Sequence, residues 1–350
     1  MNSLRPQSYS FSPRPACQSL LLLLGLLFTT TASADITLQK IQQANPGFDW
    51  KTLEKGQIVT QSRGEAEVND AELVVLVGAK IPAGTEAVMS QLERAEPHVE
   101  KIVLNASSDT AVRTSLDTYT IPRGQSVDIE WFYKPVADGT FNANTNEFKA
   151  LQQVAQSSKR EGLSREQTLA AMDAAVRDIL AARVNEYRKG GLAAVSPYDV
   201  DGEEIHPGDY LADSLQPLKL LQREESAFYK AFLNYPADQH GYENRFYATT
   251  EKSKDFDGSL TSLKHWMVDQ RDGTVLIAER KFYISRSLDA MNTLIVLLEE
   301  GDDCYVFLLS LSFTQKVTGM GSFIAHKVGR SKVKSNILPM FEGLRAAFPE

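Results

Sequence analysis

Apolar positions recur along this chain in three regimes: extended, then helical, then extended again. Ile36 to Gln43 has the spacing of a short helix, and Asn45-Pro46-Gly47 ends it with turn residues. Two extended runs follow, Gln57 to Arg63 and Glu72 to Ile81, joined by a polar turn around Gly64 to Asp70. Pro82 closes the second run. Thr85 then caps an amphipathic helix reaching Ala95, in which Val88, Met89 and Leu92 recur at helical spacing. Further strands are predicted at Lys101 to Ser107 and Val127 to Tyr133.

From about Asn146 to Leu233 the strand signals vanish and Ala, Leu, Glu, Gln and Arg dominate. Ser164 with Gln167 three residues on is a capping box, since the hydroxyl and the amide can each satisfy a free backbone N–H of the first turn. Leu169, Met172, Val176, Ile179, Leu180 and Val184 continue that helix until Gly190-Gly191 stops it. Two shorter helices are predicted, Gly208 to Leu221 and Glu224 to Leu233.

The last third returns to strands at Tyr242–Thr250, Leu260–Val268, Val275–Ile284, Met291–Leu298 and Cys304–Thr314, with a hairpin turn at Arg271-Asp272-Gly273. In the final strand one face reads Tyr305, Phe307, Leu309, Leu311, Phe313 and the other Cys304, Val306, Leu308, Ser310, Ser312. Bulky on one side and small on the other, it suits a strand buried on both faces. A basic helix from about Ser331 to Phe348, interrupted or kinked at Pro339, closes the chain. No internal repeat or low-complexity tract follows residue 34, and the candidate boundaries are the stretches Ala137 to Asn146 and Tyr235 to Gly241.

The amino terminus changes the picture of where the chain resides. Arg5 and Arg14 precede the apolar run Leu20 to Phe28, and Ala32-Ser33-Ala34 follows it, the order of a cleaved signal peptide over residues 1–34. The run is shorter than the roughly 20 residues a membrane span needs, and Cys17 precedes it, so no lipid-modified amino terminus is expected. Removing two arginines moves the formal charge from -8 to -10, which disfavours nucleic acid as a partner. Cys304 then stands alone, so the core and not a disulfide supplies stability. With one glycosylation-type triplet, Asn105-Ala106-Ser107, the composition points to a bacterial periplasm.

The element order predicts an α+β protein: a curved antiparallel sheet packed on a C-terminal helix, with a central helical insertion. Residues 35–145 form its N-terminal strand-rich part, 146–234 the insertion and 235–350 the sheet and closing helix. Ala79-Lys80-Ile81-Pro82-Ala83 leading into the helix at Thr85, with the strand-to-helix passage from Cys304 to Phe348, resembles the START-related helix-grip superfamily over 55–135 and 242–348. The helical insertion departs from that pattern. The resemblance implies a cavity between sheet and C-terminal helix that takes lipids, sterols, polyketides or other apolar molecules, or, in its enzyme members, cyclase or hydrolase chemistry. Separately, Leu38 to Val59, with Asn45-Pro46-Gly47 and Leu53-Glu54-Lys55-Gly56-Gln57-Ile58-Val59, is similar to the latter part of a lysin motif, which binds peptidoglycan.

Catalytic signatures are absent: there is no G-x-S-x-G, H-E-x-x-H, C-x-x-C or P-loop, and no cofactor motif. His98, His206, His240, His265 and His326 share no ligand spacing. Gly319-Met320-Gly321-Ser322-Phe323 reads as a bend between last strand and last helix, Asp255, Asp257, Asp302 and Asp303 as solvated turns, and Cys304 as a packed thiol. Arg245, Tyr247, His265, Glu279 and Tyr283 sit among apolar alternants. Where their faces coincide they form a polar constellation able to hold the head group of an otherwise apolar ligand; Trp266, of opposite parity to His265, reads as core. Lys327, Arg330, Lys332 and Lys334 offer contact with anionic lipid. The leading expectation is an exported carrier of a lipid-like molecule; the alternatives are a periplasmic helix-grip enzyme and an envelope scaffold that uses the helical insertion as its contact surface.

Overall fold

A computed structural model describes residues 35–349 apart from 64–66, 95–98, 124–125, 136–139, 201, 240, 253–258 and 320. The leader, His98, His240, Asp255 and Asp257 lie outside the described residues.

The first third forms α1 (Leu38–Ala44), α2 (Trp50–Leu53), β1 (Val59–Ser62), β2 (Glu72–Ile81), α3 (Thr85–Arg94), β3 (Val99–Leu104), α4 (Asp109–Ser115) and α5 (Ser126–Tyr133). The strand expected at Val127 to Tyr133 is therefore a helix. Its β-branched and aromatic residues favour strands only where a neighbouring strand receives them; here Trp131 and Phe132 pack as a helix against the long helix α7 (Arg165–Gly190). The middle holds α6 (Thr145–Arg160), α7, a small hairpin of β4 (Tyr198–Val200) and β5 (Glu203–Ile205), α8 (Pro207–Asp213), α9 (Lys219–Glu224) and α10 (Ser226–Leu233). That hairpin was not expected, and the helix predicted over Gly208 to Leu221 is broken into α8 and α9 around Pro217, whose ring cannot continue it. The last third is β6 (Glu243–Lys252), β7 (Ser259–Arg271), β8 (Thr274–Ile284), β9 (Ala290–Glu300), β10 (Asp303–Phe313) and α11 (Ser322–Ala347). α11 begins nine residues before the expected start and carries Pro339 inside it.

Eight strands make one antiparallel sheet in the order β1-β2-β10-β9-β8-β7-β6-β3. β10 lies deep in the sheet, between β2 and β9, and both of its faces are buried, as its bulky-and-small alternation predicts. On one face, Leu73, Val75, Val77, Ile277 and Ile295 meet α3 through Val88, Met89 and Leu92, and α11 through Val333, Ile337, Phe341 and Leu344. α11 approaches β2 closely at Gly329, where a Cβ would stand 2.7 Å from Leu73 Cδ1. The other face carries α1, α2 and the helices of the middle segment, through Val74, Leu76, Phe307 and Leu311 in one cluster and Phe246, Leu263 and Phe282 in another. The sheet is thus an inner layer with helices on both sides.

A local signal sets the start of the long middle helix and a distant contact fixes its end. Ser164 and Gln167 form the reciprocal capping box, a device worth about 1 kcal/mol. At the other end Gly191 adopts φ 60°, and a Cβ there would fall 1.8 Å from the Tyr235 carbonyl oxygen, so only glycine fits.

Candidate functional site

The five residues singled out by alternation do not converge. Arg245, Tyr247 and Glu279 lie on the α3/α11 face. Arg245 is held by Glu93 of α3 and by Glu243, whose two oxygens accept from its Nε and Nη2 at 2.6 and 2.7 Å. Tyr247 packs edge-on against Trp266 with centroids 5.4 Å apart, and the Lys101 ammonium sits 4.2 Å above its ring. Glu279 accepts from Trp266 Nε1 at 2.5 Å and lies 3.8 Å from Lys264 Nζ. His265 and Tyr283 are on the opposite face, in two different settings.

His265 is fully buried within a chain of hydrogen bonds that crosses several elements. Arg280 Nη1 donates to the Tyr187 hydroxyl at 2.9 Å, and that hydroxyl lies 2.8 Å from His265 Nδ1. Having accepted from Arg280, Tyr187 spends its own proton on Nδ1, so His265 is the Nε2–H tautomer and donates to Asn244 Oδ1 at 2.8 Å. Burial, reinforced by the Arg280 charge, holds the imidazole well below its ordinary pKa, which keeps it neutral. Arg280 also donates to the Phe232 carbonyl at 3.0 Å and to Asn292 Oδ1 at 3.4 Å, and Asn292 Nδ2 donates to Leu211 O and Ser214 Oγ. No carboxylate among the described residues pairs with Arg280; the Phe232 ring, 4.1 Å from its guanidinium carbon, faces it instead. The network ties α7, α8 and α10 to the sheet, and every member is engaged within the protein.

Tyr283 lies elsewhere, beside a hollow between α5, α6, α7 and the sheet. Its parity is changed by a bulge: Leu263 pairs with Tyr283 while Lys264 pairs with Lys281, leaving Phe282 as an extra residue. Phe282 stacks on Tyr187 at 4.2 Å, and Tyr283 joins it on the same side. Trp131, Phe132 and Phe141 form the aromatic wall, with the Trp131 and Phe141 centroids 4.3 Å apart. Leu151, Val176 and Leu180 form an aliphatic one. At the polar side Glu147 takes both Arg183 Nε and Nη2 at 2.6 Å, and the Arg183 guanidinium lies 4.5 Å from the centre of the Tyr283 ring. The phenol of Tyr283 is pushed well above its ordinary pKa by burial and so stays protonated. It has no hydrogen-bond partner among the described residues, although the hydroxyls of Tyr119, Tyr187 and Tyr198, packed nearby, all do. Nothing in the sequence singles out Trp131, Phe141, Glu147 or Arg183, because they come from segments far apart in the chain. The hollow has a volume of about 40 Å³, whereas sites that enclose a whole small molecule run from about 300 to 1,000 Å³.

Where the helix-grip resemblance would put a cavity, between the sheet and α11, the aliphatic and aromatic side chains named above meet one another along the middle of the helix, and an open cleft of about 330 Å³ lies at its C-terminal end, lined by Ile58, Lys80, Pro82, Arg345 and Phe348. Cys304 is buried there, its thiol pushed up to about 12 by desolvation. Gly319 and Gly321, with φ of 82° and 86°, make the bend into α11. Of the C-terminal cations, Arg330 is committed to Glu67 through two bonds of 2.8 and 2.5 Å, while Lys327 and Lys332 are exposed and Lys334 half-buried. Among the described residues no three His, Cys, Asp or Glu side chains lie close enough to hold a metal ion, and no helix is long and apolar enough to cross a membrane. Compared with known proteins, the chain matches no family model, no curated protein and no solved structure.

Proposed function

We propose that this protein acts in the cell envelope by binding rather than by catalysis, and that its ligand is apolar and lipid-like with an oxygen acceptor near the bound end. The observation that carries this reading is Tyr283, which lines an aromatic hollow and whose hydroxyl is a protonated donor without a partner among the described residues. A ligand acceptor there would add one hydrogen bond, worth about 0.5–1.5 kcal/mol net. The size of the hollow limits what enters it: the end of an alkyl chain or the edge of a ring, with the rest of the molecule outside. Binding is favoured over catalysis because His265 and Glu279, the acid–base candidates, occupy opposite faces and are both engaged by neighbours.

Native mass spectrometry with lipid extraction, on protein isolated from its own cells, tests the proposal. A bound apolar species is expected, and Tyr283→Phe should loosen it up to about tenfold, the value of one net hydrogen bond. A clean unliganded mass together with unchanged behaviour of Tyr283→Phe would remove the reading.

A further inference from the structure

Among the described residues, three of the five large apolar side chains most exposed to solvent, Phe323 at 81%, Ile324 at 69% and Val328 at 49%, fall within the first two turns of α11. A helix turns 100° per residue, so two ridges run along its outer side, Phe323–Lys327–Ser331 and Ile324–Val328–Lys332, and all six residues except the two lysines and Ser331 are apolar. Each ridge opens apolar and continues with a lysine. The opposite side of the same turns is fixed to the protein: His326 Nε2 bonds the Asp70 carbonyl at 2.7 Å, Arg330 holds Glu67, and Gly329 packs on Leu73. The tip is therefore a rigid projection, with its cost of ordering met by the fold. Helical side chains also lean toward the helix N-terminus, so Phe323 and Ile324 point outward past the end.

We infer that this tip inserts end-on into the surface of an anionic lipid bilayer. Lys327 follows Phe323 by one turn, about 6 Å along the axis, and Lys332 follows Ile324 by about 12 Å. That separation matches an interface in which apolar groups sink about 5–10 Å while amines remain at phosphate depth. Charge selects the occupant. The chain as a whole carries -8, yet from Ser322 to Phe341 there are four Lys or Arg and no Asp or Glu. A protein partner would need a matching acidic rim around an apolar socket, whereas an anionic bilayer offers both as a continuous surface. The inference goes beyond the binding reading above and uses none of its residues, because the tip belongs to the α11 side of the sheet and the hollow to the other.

Flotation of the purified protein with phosphatidylcholine vesicles, with and without phosphatidylglycerol, is the test. Binding is expected only with phosphatidylglycerol and should weaken as salt is raised. Phe323→Ser combined with Ile324→Ser should weaken it at least about tenfold, and Lys327→Glu or Lys332→Glu by about fivefold or more each. Phe323 and Ile324 are exposed, so their variants should melt with the wild type. Ile324→Cys carrying an environment-sensitive fluorophore should shift to the blue on the same vesicles, with the wild type labelled in parallel as background. Absence of binding at low salt, equal binding to neutral vesicles, indifference to the Phe323/Ile324 change, or capture of an acidic protein through the same residues without vesicle binding would each overturn the inference. Trp131→Ala should leave vesicle binding unchanged, so failure of the hollow and failure of the tip are read separately.

Discussion

The two faces of the sheet are held by different physics. Toward α3 and α11 the contact is chiefly aliphatic, with Val75, Val77, Ile277 and Ile295 set against Val88, Leu92, Ile337 and Phe341. Toward the middle helices, buried polar side chains lie among the apolar ones, and the chain Asn244–His265–Tyr187–Arg280–Asn292 spans from β6 across β7, α7 and β8 to β9. An apolar face is non-directional and tolerates adjustment, with a cost for each lost atom. A buried polar chain fixes one arrangement, because each displaced member leaves a neighbour unpaired. The difference teaches that this sheet gains adhesion on one side and specificity of helix placement on the other.

Five changes would break or sharpen that contrast. Phe341→Ala, on the apolar side, should cost about 3–5 kcal/mol in chemical denaturation, because a fully buried ring leaves a cavity. Tyr187→Phe, on the polar side, removes hardly any volume yet should still cost about 2–3 kcal/mol, since Arg280 Nη1 and His265 Nδ1 both lose their partner. A loss below about 0.5 kcal/mol would show that the network contributes nothing of the kind.

Acid should also act on the polar side. In the unfolded chain His265 takes up a proton below about pH 6.5, whereas in the folded one its pKa lies well below that. Protons therefore favour unfolding, and stability should fall below about pH 6.5 by at most about 1.4 kcal/mol per pH unit from this residue. Melting curves of wild type and His265→Gln should show a shallower acid slope in the variant. Glu72, on the same side, works in the opposite sense. Burial pushes its carboxyl from 4.5 up to about 7, so the folded state retains a proton that the unfolded state gives up. Its contribution is present at low pH and is lost as the pH rises through about 7. Glu72→Gln should therefore gain on the order of 1 kcal/mol relative to wild type at pH 8 and little at pH 4. Smallest of all, Phe323→Ser with Ile324→Ser should change stability by less than about 0.5 kcal/mol, since both side chains are exposed.

Much of the fold was legible because it follows from local rules. Glu72–Ile81 was read with the bounds it has in the structure, and the double burial of β10 followed from its two-sided alternation. The capping box at Ser164 depends on residues three positions apart. The misreadings have equally definite causes. At Val127 to Tyr133 strand-forming residues were overruled by packing of α5 on α7. The start of α11 was missed because Phe323, Ile324 and Val328 lie on its exposed side, so the buried period is first visible from Val333 onward.

The candidate site was less legible than the fold. Parity placed His265 and Trp266 on opposite faces, as the structure has them, but whether residues of different strands share a face depends on register. A single bulge opposite Leu263 and Lys264 moves Tyr283 to the side of Phe282, and no rule applied along β8 alone reveals it. The walls of the hollow, Trp131, Phe141, Glu147 and Arg183, come from segments that meet only once the chain has folded.

The sequence by itself therefore determined the secondary elements whose signals are local, the α+β class with antiparallel strands and a closing helix, and the acidic balance with its basic exception at 327–334. Tertiary structure alone decided the strand order, the placing of helices on both faces, the wiring of Arg280 to Tyr187, Asn292 and the Phe232 carbonyl, the hollow beside Tyr283 and the exposure of the α11 tip. The division has one physical cause. Periodicity, capping and turn chemistry act over a few residues and are written in consecutive positions. Register, bulges and burial depend on which distant segments meet, a matter settled by the free energy of the whole core.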